Sequence, residues 1–289
     1  MEYILHILVI TGIYMILTLS LNLILGYTGI PALGHAAFAC AGAYTSSLLA
    51  LNLGLPAWVG LVAGACVAAF LGLIVGFPSI RLKGDYLALA TFGLGLIVYS
   101  VAKNWVELTR GPMGLPGIPR FGFYFFALDA VWAYLLLVTF FVLLTFFVTW
   151  RIVKSPFGRV LMGIREDEIA TLAMGKDVNQ HKLLVFVIGA FFAGIAGSLY
   201  AHYITFIDPS SFTVMESIII LLMVVFGGMG SLPGSFVGAS ILVIFPELLR
   251  FVGMPSAVAA PVRQMVYGLL LVLLMILLPQ GILGKYRFR

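Results

Sequence analysis

The sequence predicts an all-α polytopic membrane protein with about nine transmembrane helices, and three observations lead to that prediction. Hydrophobic residues make up 62% of the 289 residues and charged residues 9%, against about 25% charged in a typical soluble domain. The apolar residues stand in unbroken blocks such as Leu135–Trp150 rather than alternating with polar ones. Many blocks approach the roughly 20 residues that a helix needs to cross a bilayer. We therefore expect a single transmembrane domain over residues 1–289.

Charged residues, glycine and proline separate the apolar blocks and mark where each helix ends. The spans lie at about 3–25, 33–51, 57–78, 85–102, 130–150, 183–204, 215–229, 234–250 and 262–280. The first block is too long for the apolar core of a signal peptide and has no basic segment before it, so we expect a retained span. A helix break inside the membrane would change the count, which leaves eight to ten crossings open.

The distribution of Lys and Arg predicts which side each loop faces, because cytoplasmic loops keep positive charge. Of 16 basic residues, two lie in 81–84, six in 151–182 and three in 285–289. We expect these regions, including the C-terminus, to be cytoplasmic in an inner membrane, and residues 103–129 to form the long external loop. Membrane orientation then accounts for the net charge of +5, and no nucleic-acid partner is expected.

The cysteines and the motifs exclude several kinds of site. Cys40 and Cys66 lie in apolar blocks where small residues serve helix packing, so we expect no redox or metal role. The sequence has no G-x-x-x-x-G-K-[ST] phosphate loop and cannot hydrolyse ATP by that route. It also lacks the H-E-x-x-H, G-x-G-D and G-x-S-G motifs of intramembrane enzymes, and we expect no enzyme activity.

The segment Gly158–Lys182 carries the densest charge, of both signs. Residues 155–158 predict a turn, and residues 165–175 predict a short helix that ends at Gly175. Its first turn would hold three acidic residues, which the helix dipole favours there: Glu166, Asp167 and Glu168. Three apolar residues would share one face: Ile169, Leu172 and Ala173. Such an amphipathic helix either packs on its own spans or the lipid headgroups, or binds a partner protein.

Five stretches in order along the chain resemble one family. They are SPFGRVLMGIREDEIATLAMGKDVNQHKLLVFVIGAFFAGIAGSLYA (155–201), LSLNLILGYTGIPALGHAAFACAGAYTSSLLA (19–50), RLKGDYLALATFGLG (81–95), GPMGLPGIP (111–119) and SIIILLMVVFGGMGSLPGSFVGA (217–239). Together they resemble the permeases of branched-chain amino acid ABC importers, in particular the second, M-type permease subunit. The sequence departs from the family pattern at Arg110, where a small residue is expected, and at Gly163, Met174 and Asp177 within the charged segment.

The resemblance implies a permease that moves branched-chain or related hydrophobic amino acids, driven by ATP hydrolysis in partner subunits. It implies four kinds of partner: a related second permease, two ABC ATPase subunits, a periplasmic or lipid-anchored amino-acid-binding protein, and membrane lipid. ATP would be bound by the ATPases, so no cofactor is expected in this chain. Two alternatives stay open: a related permease for urea, short amides or a sugar, and a stand-alone secondary carrier.

The resemblance also implies that the charged segment is a coupling helix seated in a groove of the ATPase. The residues on or beside that contact would be Arg165, Glu166, Asp167, Glu168, Ala170 and Gly175. Charges of both signs would fix the register of such a contact, and an apolar face would provide the buried anchor.

Two glycine-rich stretches, Gly26–Tyr44 and Phe226–Ser240, predict either breaks inside the membrane or ordinary turns with close helix packing. A broken helix exposes backbone groups that can meet the charged ends of an amino acid. We therefore expect part of the first stretch, with polar residues of the spans, to line the translocation pathway: Asn22, Gly29, Pro31, Gly34, His35 and Thr91. The alternative explanation of His35 is a hydrogen-bonded packing residue. Glu216 and His202 are explained as residues near span ends whose side chains reach toward water.

Overall fold

The computed structural model describes residues 2–79, 82, 84–123, 126–127, 130–250, 265, 268–269 and 280–284. The α-helices of this part are α1 (Glu2–Thr28), α2 (His35–Leu53), α3 (Ala57–Ser79), α4 (Asp85–Asn104), α5 (Val106–Thr109), α6 (Val131–Lys154), α7 (Pro156–Glu166), α8 (Glu168–Ala173), α9 (Val178–Ile204), α10 (Val214–Gly227) and α11 (Leu232–Arg250). Short 3₁₀ helices lie at Gly111–Met113 and Pro209–Phe212. The described strands are β1 (Leu115–Pro116), β2 (Gly122–Phe123), β3 (Phe126–Ala127) and β4 (Phe206–Ile207).

The predicted all-α polytopic class is confirmed. Seven described segments are long and apolar enough to cross a membrane, namely α1, α2, α3, α4, α6, α9 and the stretch Pro209–Gly227 that contains α10. The apolar part of α11, Leu232–Phe245, is shorter. These eight helices coincide in order with the first eight predicted spans. The ninth, 262–280, lies almost wholly outside the described residues, so the count of nine is not confirmed.

The centre of the bundle is built where α2, α3 and α9 approach closely through glycine. A Cβ atom placed on Gly197 of α9 would lie 1.9 Å from the carbonyl oxygen of Ala39 in α2. One placed on Gly42 would lie 2.3 Å from the carbonyl oxygen of Gly194. Ser198 Oγ donates to the Gly42 carbonyl at 3.1 Å. Small residues therefore let these backbones touch, as the predicted close packing requires.

One end of the bundle is closed by the loops around β1–β4. Leu115 of β1 pairs antiparallel with Ile207 of β4, and β2 pairs with β3 through Gly122 and Ala127. The Trp58 indole donates to the Gly122 carbonyl at 3.1 Å. The other end carries α7 and α8, and we call it the charged-loop end, defined by residues 155–182. The long loop at 103–129 and the charged loop thus lie at opposite ends.

We expect Gly197→Ala to destabilise the protein by about 1–3 kcal/mol, because the new methyl group would force the α2 and α9 backbones apart. The matched control is Gly93→Ala in α4, where an added Cβ meets nothing within 4 Å. That variant should keep or slightly raise stability through its better helix propensity. Thermal unfolding of the purified variants in detergent measures both, and equal midpoints would contradict the close-packing argument.

Candidate functional site

The segment between α1 and α2, residues 29–34, turns back into the bundle. Gly29 follows the end of α1 with φ 73°, a conformation that glycine adopts without strain. At the start of α2, His35 Nε2 lies 2.8 Å from Ser20 Oγ in α1. Ser20 stands eight residues before the end of α1 at Thr28, which is about 12 Å along the helix. Helix α2 therefore begins about 12 Å inside the bundle, at the predicted break.

Side chains from two other helices satisfy the backbone at this break. The Leu33 N–H donates to Thr91 Oγ1 of α4 at 3.0 Å, and the Ala36 N–H donates to Ser217 Oγ of α10 at 2.9 Å. A Cβ on Gly34 would lie 2.1 Å from the Thr91 carbonyl oxygen, so glycine is required for this approach. The structure thus brings Gly34, His35 and Thr91 together, as predicted for one site, with Gly29 and Pro31 in the same segment.

Asn22 of α1 lies in a different place, against the turn between α10 and α11. Its Nδ2 donates to the Ser231 carbonyl at 2.9 Å and to Ser235 Oγ at 2.8 Å. Its Oδ1 accepts from the Gly230 N–H at 2.9 Å. The side chain is fully buried. Asn22 therefore fastens α1 to the second glycine-rich stretch, which the sequence did not connect to it.

Arg165, at the end of α7, joins the charged loop to both glycine-rich stretches. Its Nη1 donates to the Gly26 carbonyl near the end of α1 at 2.6 Å. A Cβ on Gly29 would lie 3.0 Å from Arg165 Cγ, and one on Gly230 would lie 2.8 Å from Nη1. A guanidinium at a helix C-terminus satisfies a free carbonyl and is favoured by the helix dipole. The break at 29–34, the turn between α10 and α11 and the charged loop therefore meet at the side chain of Arg165.

The charged loop differs from its predicted form in two ways. The turn predicted at 155–158 is wrong, because Ser155 caps α7 and its Oγ accepts from the Gly158 N–H at 3.3 Å. The single helix predicted over 165–175 is also wrong, because the chain breaks at Asp167 (φ −156°, ψ 109°). Glu166 ends α7, and Asp167 caps α8, leaving only Glu168 in the first turn of α8. Asp167 Oδ1 accepts from the N–H groups of Ile169 and Ala170 at 2.8 and 3.0 Å, and these bonds fix the break.

The acidic residues flanking this break pair within the chain. Glu168 Oε2 lies 2.8 Å from Nζ of Lys182 in α9, whose side chain is only 7% exposed. Glu166 Oε1 lies 3.0 Å from Nη2 of Arg165. The pair of Glu168 with Lys182 therefore joins the loop to α9, whereas Glu166 pairs with its neighbour in sequence at the surface. Gly175, with φ 75°, ends the loop helix as predicted.

The apolar residues of α8 face outward. Ile169 is 72% exposed, Leu172 50% and Met174 68%, and Ala170 is exposed beside them. Helices that pack on their own bundle bury such side chains. The predicted alternative in which α8 packs on its own spans is thus excluded for this face.

A cavity of about 130 Å³ lies between α1, α2, α9 and α10, and the sequence did not predict it. Glu216 of α10 lines the cavity and accepts a hydrogen bond from the Tyr14 hydroxyl of α1. Glu216 stands in the first turn of α10, near the helix end as predicted, and its half-buried side chain faces this cavity. Tyr14 and Glu216 are 202 residues apart, and the only sequence signal was an acidic residue before the apolar run of α10.

The loop before α10 forms one edge of this cavity. Ser211 lines it and donates through Oγ to Asp208 Oδ1 at 2.6 Å. Burial raises the pKa of the Asp208 carboxyl, but hydrogen bonds from Ser210 and Ser211 outweigh burial and hold that pKa below its usual value. Asp208 is therefore held in its ionised form beside the cavity.

Comparison with known proteins identifies a family. The profile of the family described as "Branched-chain amino acid transport system / permease component" matches residues 3–275. The chain is 38% identical to the "High-affinity branched-chain amino acid transport system permease protein LivM" of Escherichia coli (strain K12), over 96% of this chain and 69% of that protein. It is 28% identical to a "Probable branched-chain amino acid transport permease protein LivM" of Methanocaldococcus jannaschii, over 95% and 91%. It is 24% identical to LivH of Escherichia coli (strain K12), over 94% and 91%.

We expect Asn22→Ala to destabilise the protein by about 2 kcal/mol or more, because it removes the three hydrogen bonds of a fully buried amide to Gly230, Ser231 and Ser235. The same substitution at Asn104, whose exposed amide bonds only to the Ser100 carbonyl in its own helix, should change stability by less than about 0.5 kcal/mol. Thermal unfolding in detergent compares the two. Equal effects would show that the Asn22 bonds do not hold α1 to the turn.

Proposed function

The chain belongs to the family of branched-chain amino acid transport system permease components, and from that premise we propose that it is the membrane permease of an ABC importer for branched-chain amino acids. The observation that carries this proposal is the charged loop. It presents an outward apolar face on α8 and is joined to the helix break by Arg165. A surface of this kind suits a partner that transmits movement into the bundle.

The partner at α8 is proposed to be an ABC ATPase, which would bind ATP while this chain holds none. Anchors of a protein interface are apolar side chains that become fully buried, and Ile169, Leu172 and Met174 are available for that role. The predicted contact residues Ala170 and Gly175 are exposed on the same loop. The charged-loop end, with the C-terminus, would then face the cytoplasm of an inner-membrane protein.

The other partners follow from the same premise. LivM and LivH relatives both match nearly the whole chain, which supports pairing with a second, related permease. The opposite end, with β1–β4, would receive an amino-acid-binding protein. Two copies of an ATPase would complete the importer.

Movement would pass from the ATPase into the bundle by two direct contacts. Arg165 connects the loop to the Gly26 carbonyl, two residues before the end of α1. Gly26 lies one turn after Asn22, which bonds to the turn between α10 and α11. Glu168 connects α8 to Lys182 at the start of α9. Both helices border the break at 29–34, so a shift of the loop would reach the predicted pathway residues Gly34, His35 and Thr91.

Ile169→Asp tests the ATPase contact. Because Ile169 is exposed, the variant should fold normally, yet lose at least about tenfold in ATP-driven leucine uptake and in recovery of the ATPase with the tagged permease. Asn179→Asp places the same charge at an exposed position at the start of α9 and should leave both unchanged. Normal uptake by Ile169→Asp would remove α8 from the ATPase interface.

Arg165→Met tests transmission through the loop. The variant keeps the apolar stem but cannot bond to the Gly26 carbonyl, so the assembled transporter should hydrolyse ATP while its leucine uptake falls about tenfold. Arg159→Met, at an exposed position of α7, should behave as the unchanged protein does. Uptake and hydrolysis measured on the same proteoliposomes decide, and a parallel loss of both would point to misassembly instead of uncoupling.

A further inference from the structure

We propose that Glu216 binds the α-ammonium group of the transported amino acid in the cavity between α1, α2, α9 and α10. This inference rests on the proposed function and names a substrate contact for it. The cavity has a volume of about 130 Å³ and combines apolar side chains with the carboxylate of Glu216, the combination of apolar lining and few polar groups that small-molecule sites use. Its walls come from four different helices, so a change in their packing would open or close it.

The cavity lies near the middle of the bundle along α1. Tyr14, which lines it, stands 14 residues before Thr28, about 21 Å from the charged-loop end of a helix about 40 Å long. Ala36 and Ala39, from the first turns of α2, line the same cavity. The cavity and the break at 29–34 are therefore parts of one region, in the place where a translocated solute has to pass.

Within the described residues no Lys or Arg pairs with Glu216, and the ion pairs of the charged loop, Arg165 with Glu166 and Lys182 with Glu168, lie elsewhere. Its hydrogen bond comes from the neutral hydroxyl of Tyr14. A carboxylate away from water is costly unless a cation joins it. An ammonium group entering the cavity would supply that cation and would still leave the Tyr14 bond in place.

The rest of the lining suits the other two parts of an aliphatic amino acid. The N-terminus of α2 carries the positive end of the helix dipole, which favours the carboxylate of the amino acid. The Ala36 N–H at this end already donates to Ser217. Ile13, Leu17 and Ile220 offer apolar surface to a side chain. The chemistry of the cavity therefore matches a zwitterion with an aliphatic side chain.

Uptake of radiolabelled L-leucine by the assembled transporter in proteoliposomes is the first test. Glu216→Gln keeps an oxygen for the Tyr14 hydroxyl but loses the charge, so uptake should fall about tenfold or more while ATP hydrolysis stimulated by the loaded binding protein persists. Glu216→Asp should recover part of the uptake. Glu107→Gln, at an exposed position of α5, is the matched control and should have no effect. Normal uptake by Glu216→Gln would overturn the proposal.

A labelling experiment tests the site without depending on transport. In the assembled transporter with Cys40→Ala and Cys66→Ala, Ser211→Cys places a thiol on the cavity lining. The thiol is labelled with a cationic reagent, trimethylammonium-ethyl methanethiosulfonate, and with an anionic one, sulfonato-ethyl methanethiosulfonate. We expect the ratio of the cationic to the anionic labelling rate to fall about tenfold when Glu216→Gln is added. L-leucine should slow labelling of the Glu216 protein.

The two tests separate the two proposals. If the unchanged transporter takes up no leucine but the labelling ratio depends on Glu216 and leucine protects the thiol, the importer proposal fails and the binding site stands. If leucine is taken up but the labelling ratio is unchanged by Glu216→Gln, the binding site fails.

Discussion

The start of α2 inside the bundle is the constraint on which the rest of the structure depends. A helix that begins about 12 Å from the end of α1 brings free N–H groups to a place where water cannot satisfy them. Thr91 and Ser217 accept two N–H groups there, so α4 and α10 must lie beside the break. Gly34 must lack a side chain for α4 to approach. The positions of three helices thus follow from one interruption of the backbone.

The same interruption of the backbone connects the charged loop with the cavity. Below the break, Arg165 bonds to the end of α1 and packs against Gly29 and Gly230. Above it, the first turns of α2 line the cavity that holds Glu216. A movement at the loop therefore has a direct mechanical route to the cavity, through packed backbone that glycine brings into contact. In the proposed importer, this route would carry a shift of the loop to the cavity.

Sequence reasoning succeeded where the signal is local and failed where distant residues meet. The apolar blocks predicted the eight described helices in order, and the glycine and proline of 29–34 indicated a break inside the membrane as one of two alternatives, because both signals depend on neighbouring residues. The pairing of Tyr14 with Glu216 joins residues 202 apart and has no local signal. The cap at Asp167 did have a local signal, because an acidic residue before Glu168 and an apolar turn is typical of a helix start. This cap divides the charged loop into two helices.

The division at Asp167 also changes which residues can recognise a partner. The family resemblance suggested that charges of both signs would set the register of the coupling contact. In the structure, Glu168 is paired with the nearly buried Lys182, so reversing the Glu168 charge would leave that cation without its partner. Glu166 is 59% exposed beside Arg165, and an exposed pair of this kind contributes little to the fold. The apolar face of α8 makes no such internal contact and can be buried at small cost. We therefore propose that affinity for a partner resides in Ile169, Leu172 and Met174, while the pair of Glu168 with Lys182 fixes the orientation of that face relative to α9.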